Sequence, residues 1–193
     1  MDLNELREQL RKSRPVEVTR TGRLVFPENA PGGGGPAIKA AEVPDAEPTP
    51  GRAGPSRLKE HTFAAGWHEA DPARFDAERR AMAAHTRARL RFLEGKVAFE
   101  ETVDTNFDLP FHMVVVCPER YPTLPPKVFC IDPEVPPETR YHLYADGSLC
   151  LFLSHEWTRD LTLLDVRNWA CEWAFNVLPR VLLDHPWMSK EHA

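Results

Sequence analysis

The sequence predicts an α+β domain, on three observations. Apolar residues recur at helical spacing from Asp71, strand-like runs follow between residues 96 and 131, and a second helical pattern fills residues 161–183. Between the strands and that last pattern runs a proline-rich segment, with seven prolines from Pro118 to Pro137. The expected order is an N-terminal helix, a small antiparallel meander sheet, a proline-rich loop and C-terminal helices.

Each element has a local cause. DLNELREQLRKS (2–13) sets Leu3, Leu6 and Leu10 on one helical face, with acids early and Arg11 and Lys12 late, as the helix dipole favours. It reads as a marginal solvated helix at a frayed terminus, with a docking helix for a partner as the alternative. TGRLVF (21–26) adds one short strand. Residues 31–55 contain six prolines and six glycines, so 12 of 25 positions resist helix and central strand, and the segment reads as a linker. The expected division is an arm and linker over 1–57, mostly disordered, and a folded domain over 58–193. Asp71 followed by Pro72 is a helix start, and Phe75, Met82, Thr86, Leu90 and Leu93 predict one helix of about 20 residues ending near Gly95. KVAFEETV (96–103), FHMVVVC (111–117) and KVFCI (127–131) read as strands. LTLLDVRNWACEWAFNVLPRVLL (161–183) is helical, with Pro179 breaking it or marking a second helix.

Charge and composition exclude several function classes. The first 57 residues hold nine Lys/Arg against eight Asp/Glu, whereas the remainder holds 15 against 21. An acidic folded part is a poor nucleic-acid surface. No apolar run approaches the roughly 20 residues that span a bilayer, and Met1 is followed by a charged stretch; a soluble, cytoplasmic protein with no membrane contact is expected. Four cysteines (Cys117, Cys130, Cys150, Cys171) without a CxxC pair predict reduced thiols and no metal site. The HxE and PCxxC pattern of zinc deaminases is absent, and no cofactor is implied.

The chemistry points to residues 118–166. Their prolines force an extended, irregular course that must be packed down, for which Tyr121, Phe129, Tyr141 and Tyr144 are available. Asp146 and Gly147 form a turn signal directly before Ser148, Leu149, Cys150 and Leu151. A thiol just beyond such a turn has a fixed backbone and a partly open sulfur, whereas the other cysteines fall in regular strand or helix patterns. Cys150 is the expected nucleophile.

These residues resemble a family. YPTLPPKVF (121–129) is similar to the Tyr-Pro-x-x-Pro-Pro-Lys-Val segment of ubiquitin-conjugating enzymes, with Pro122, Pro125 and Pro126 carrying the match. DGSLCL (146–151), including Gly147, resembles their active-site segment. Trp157 with Thr162 five residues later resembles the Trp-Ser-Pro-x-x-Thr stretch beyond the family's cysteine. The three matches occur in family order and bracket Cys150. The resemblance implies the ubiquitin-conjugating fold, in which Cys150 accepts the C-terminal acyl group of a ubiquitin-like modifier from an activating enzyme and passes it to an amine of a protein target. Tyr121 and Trp157 then seat the active-site loop.

Departures from the family are equally specific. Its His-Pro-Asn tripeptide is here His142, Leu143 and Tyr144, so the asparagine that supports the oxyanion is missing. The acidic residue often found two positions after the cysteine is Phe152, and the stretch before Tyr121 looks too short for all the family's strands, one being absent or replaced by residues 21–26. Such features are more similar to divergent bacterial relatives found beside activating enzymes, ubiquitin-like proteins and JAB-type peptidases, often in antiviral operons.

Aminolysis of a thioester requires an amine that loses a proton and a donor for the oxyanion. His142 is the first candidate for that donor or for ordering the loop, and His155 the second candidate near the sulfur. Two other classes stand beside the transferase: a catalytically inactive RWD or variant-type binding module of the same fold, and a cysteine hydrolase. The hydrolase needs a nucleophile at a helix start, and LFLSHEW after Cys150 has no helix signal.

Overall fold

The computed structural model describes residues 1–13, 15–18, 24–25, 66–105, 107 and 109–185. Helix α1 (Leu3–Lys12) comes first, followed by a two-stranded ribbon of β1 (Glu17–Val18) and β2 (Leu24–Val25). Then come α2 (Trp67–Ala70), α3 (Pro72–His85) and the strands β3 (Arg89–Leu93), β4 (Lys96–Val103), β5 (Phe111–Val116) and β6 (Lys127–Asp132). A 3-10 turn (Thr139–Tyr141) and the long α4 (Leu163–Asp184) are the last elements among the described residues. The four main strands pair antiparallel in the order β3-β4-β5-β6. The architecture is α+β, with the helix, meander, proline-rich segment and C-terminal helix in the expected order.

Period-two alternation divides the sheet into two apolar faces. Val97, Phe99, Met113, Val115 and Val128 face one way, into the main core with Met82 of α3 and Val166, Trp173 and Leu178 of α4. Leu93, Ala98, Val114, Val116 and Phe129 face the other way, and Leu6 of α1 covers them. A sheet apolar on both faces needs a cover on each, and α1 supplies the second.

This corrects the reading of residues 2–13 as a solvated helix. Leu6 is fully buried, with Met1, Leu3 and Leu10 packed around it. Burying one such leucine contributes about 1.5–3 kcal/mol, which offsets the weak intrinsic stability of a ten-residue helix. A capping box between Asp2 and Glu5 closes its N-terminus. Arg7 fixes the register, donating to Glu134 at 2.7 Å and to the Ile131 carbonyl at 3.0 Å.

The helix expected to end near Gly95 stops at His85. Asp71 caps it and Pro72 opens it, as the sequence indicates. Leu90 and Leu93, however, belong to β3. Glu94 and Gly95, with φ of 50° and 78°, form a two-residue hairpin loop in which Leu93 pairs with Lys96. Glycine there serves a hairpin, not a helix end, and a five-residue strand was too short for its period to be told from a helical one. That strand is the one that looked absent. Residues 24–25 do not replace it, since they pair with 17–18 in the separate ribbon.

Among the described residues one helix stands where C-terminal helices were expected. α4 runs through Pro179, because Leu178 and Val181 on either side are fully buried against the core. A capping box between Thr162 and Asp165 starts it. The linker 31–55, the boundary at residue 57 and Trp187 lie outside the described residues.

Candidate active site

Residues 142–150 form a tight hairpin that sets the thiol. The Cys150 N–H donates to the His142 carbonyl at 2.7 Å, and the Tyr144 N–H donates to the Ser148 carbonyl at 2.8 Å. Leu143 pairs with Leu149 between them. Both leucines are buried, so the alternation turns His142, Tyr144 and Cys150 to the other side. Gly147, at φ 81°, makes the turn that a residue with a Cβ would strain.

The turn is held from two directions. Asp146 accepts from the Ser148 N–H at 3.0 Å and hydroxyl at 2.6 Å, and from Lys127 Nζ at 2.6 Å. Partial burial pushes the Asp146 carboxyl up, but Lys127 and Ser148 overcome it and hold the group at about 2. From the opposite side the Leu3 N–H of α1 donates to the Asp146 carbonyl at 3.1 Å, and a Cβ placed on Gly147 would stand 2.9 Å from that of Leu3. The N-terminal helix therefore touches the turn three residues before the thiol.

Among the four cysteines Cys150 alone is half-buried; the rest are buried. Burial pushes the Cys117, Cys130 and Cys171 thiols up, which leaves them protonated and inert. Cys150 opens into a groove of about 300 Å³ against α4, lined also by His142, Trp169, Glu172, Asn176 and Arg180. Trp173 ties that helix to the loop by donating from Nε1 to the Tyr141 carbonyl at 2.9 Å.

The proline-rich segment packs as its sequence requires. Tyr121 is buried, lies 4.7 Å from the Trp67 ring by centroid, and donates its hydroxyl to Glu78. Pro126 is buried, with Pro122 and Pro125 partly so. Trp157 donates from Nε1 to the Pro122 carbonyl at 2.9 Å and stacks on Phe152, with 5.6 Å between centroids. Phe152 also packs against Trp169 at 5.4 Å. Glu78 joins the three layers: its carboxylate accepts from Arg74 Nε at 2.7 Å, from Tyr121, and from the Leu163 N–H at the start of α4 at 2.9 Å.

The structure brings His142 to the Cys150 groove but leaves His155 apart. His155 is exposed in the turn where the Glu156 N–H donates to the Leu153 carbonyl, and it is not among the groove's lining residues. Tyr144, expected as packing, is instead half exposed, whereas Tyr121, Phe129 and Tyr141 are buried. Sequence reasoning missed Glu172, Asn176 and Arg180. Their spacing of four along a helix otherwise apolar from Trp169 to Leu183 was the available signal for a polar stripe. Among the described residues no cluster of side chains could hold a metal ion, and no helix is long and apolar enough to cross a membrane.

No family model matches the chain, and no curated protein matches it in sequence. Among solved structures it is similar to a chain of a complex of the Vps23 UEV with ubiquitin, at 16% identity and a TM-score of 0.38, covering 52% of this chain and 79% of that one.

Proposed function

We propose that the protein is a ubiquitin-conjugating-like transferase whose Cys150 accepts a ubiquitin-like modifier as a thioester and passes it to an amine of a protein target. The observation that carries this reading is the placement of Cys150. The one thiol that is not buried stands on a braced hairpin at the rim of an open groove, inside the segments that resemble the conjugating family. Transthiolation suits such a thiol, because the activating enzyme delivers an acyl group already held as a thioester and positions it for exchange. The groove leaves the sulfur open to a partner's chain, while the aromatic contacts of Tyr121, Phe152 and Trp157 pack the segments that flank it in sequence.

The partners in this reading are an activating enzyme, the modifier and the target, with a JAB-type peptidase in the same system. The sequence departures support reading that system as a divergent bacterial one, such as one in an antiviral operon. The test is to incubate the purified protein with its activating enzyme, modifier and ATP. A reductant-sensitive adduct that is absent in Cys150→Ala is expected. An adduct that persists in the variant would overturn the assignment, and non-covalent retention of the modifier without any adduct would favour the binding-module alternative.

A further inference from the structure

We propose that α1 is a hinged brace of the active-site hairpin: its docking on the second sheet face sets how firmly the Cys150 thiol is held. What this means for transfer rests on the reading of Cys150 as the acyl acceptor, whereas the coupling itself does not.

One end of α1 is anchored and the other leans on the turn. Behind its C-terminus, Arg91 Nη1 donates to the Ser13 carbonyl at 2.7 Å and to the Ser13 hydroxyl at 3.3 Å. The Val16 N–H then donates to the Leu90 carbonyl at 2.8 Å, and the Val16 side chain is buried in the main core. This end is therefore tied to β3. At the far end, about 15 Å away at 1.5 Å per residue, the Leu3 N–H donates to the Asp146 carbonyl at 3.1 Å. Leu3 opens the helix, so its N–H has no acceptor within α1. Rotation about Ser13 swings this end furthest, and the contact with the turn breaks first.

The seating between the two ends is weak. Leu6 is the one buried residue of α1. Gln9 has both Nε2 and Oε1 buried with no hydrogen-bond partner among the described residues, and a buried amide without partners opposes docking by its lost hydration. Arg7 meets Glu134, but that carboxylate is 76% exposed and the pair is screened by solvent. A groove of about 480 Å³ opens beside α1, with Arg7, Leu10, Ile131 and Glu134 in its walls. A cover seated by one leucine and opposed by an orphaned amide belongs to the low-stability end of a structure, where local opening occurs without global unfolding.

Lifting α1 acts on the hairpin by two routes. It removes the Leu3 contact, which leaves the Asp146–Gly147 turn with the surface ion pair to Lys127. It also uncovers Phe129, which forms the bridge to Ser148 and lies in the cluster that Leu6 covers. Turn and bridge together set the ladder that ends at the Cys150 N–H on the His142 carbonyl. By linkage, whatever loosens α1 loosens the hairpin, and the reverse.

The test measures amide hydrogen exchange and iodoacetamide labelling, resolved by residue, in the full-length protein with Leu6→Ala and Gln9→Leu. Leu6→Ala removes most of the burial that seats α1 and should speed exchange within α1 about 10- to 100-fold. Gln9→Leu removes the orphaned amide and should slow it about tenfold. The Gly147 and Cys150 amides should follow in the same direction by about threefold or more, while β4 and β5 stay within about twofold. In Leu6→Ala the half-buried Cys150 thiol should label faster, with Cys117, Cys130 and Cys171 unchanged. Exchange that changes in α1 but not at Gly147 and Cys150 would overturn the coupling. So would an acceleration in Leu6→Ala shared by β4, β5 and all four thiols, because α1 would then not open as a separate unit. If Leu6→Ala does not fold, the Gln9→Leu result decides. If the coupling holds and no modifier adduct forms on Cys150, the acyl-acceptor reading falls and the brace stands.

Discussion

Replacing Glu78 with alanine should destabilise the protein by about 3–5 kcal/mol, the range for removing one partner of a buried ion pair. The carboxylate is 2% exposed and receives Arg74, the Tyr121 hydroxyl and the Leu163 N–H. Alanine leaves the Tyr121 O–H and the Leu163 N–H without their acceptor, at about 1–3 kcal/mol each. It also removes a negative charge from the N-terminus of α4, worth about 0.3–1 kcal/mol. Arg74 offsets part of the loss, since its side chain is 22% exposed and still donates to the Leu161 carbonyl at 2.6 Å and the Arg159 carbonyl at 3.2 Å. Urea unfolding at pH 7 reads the effect as a midpoint shift of about 2 M at unchanged slope, for a slope near 2 kcal/mol/M. A double-mutant cycle with Tyr121→Phe should return a coupling of at least about 1 kcal/mol, because both changes break the same bond. A midpoint shift below about 0.5 M at unchanged slope would refute the claim that this carboxylate joins α3, the proline-rich loop and α4.

Further outcomes follow from the same contacts. Glu100 is held at about 2 by His112 first and Arg91 next, against opposing burial, and Asp146 is held at about 2 against its own burial. Both folded values are depressed, so their stabilisation is present above the unfolded carboxylate range of about 4–4.5 and is lost as pH falls towards 2. Urea midpoints measured from pH 6 to 2 should therefore fall, and fall less in Glu100→Gln; an identical acid limb in that variant would discredit the pairing. Gly147→Ala should strain a φ of 81° and press on Leu3, costing about 1–3 kcal/mol. Hydrogen exchange should then speed up at α1 as well as at the turn, and acceleration confined to the turn would show that the contact with Leu3 carries no load.

The proline-rich segment was the most legible part of the chain. Tyr121, Pro126 and Trp157 pack where local chemistry directs them, because prolines fix the path and aromatic rings have few ways to be buried along it. β3 was misread because Leu90 and Leu93 also fit a helical period, and only pairing with β4 decides between the two. Nor was the role of α1 legible, since Leu6 is buried by β5 and β6 residues more than a hundred positions away. His155 lies close to Cys150 in sequence but not at its groove, because the exposed turn at Leu153–Glu156 carries it away.

The sequence by itself determined the α+β order of elements, the helix start at Asp71, and Cys150 as the cysteine set apart by the turn before it. These depend on capping, turn and proline chemistry, which act over a few residues. The tertiary structure alone decided that α1 covers the second sheet face and braces the Asp146–Gly147 turn, and that α4 supplies the wall opposite Cys150. It also decided that Tyr144 is half exposed and not packed into the core. Such placements follow from which buried faces meet and how a hairpin's register sorts its side chains, and neither is a property of any short stretch of chain.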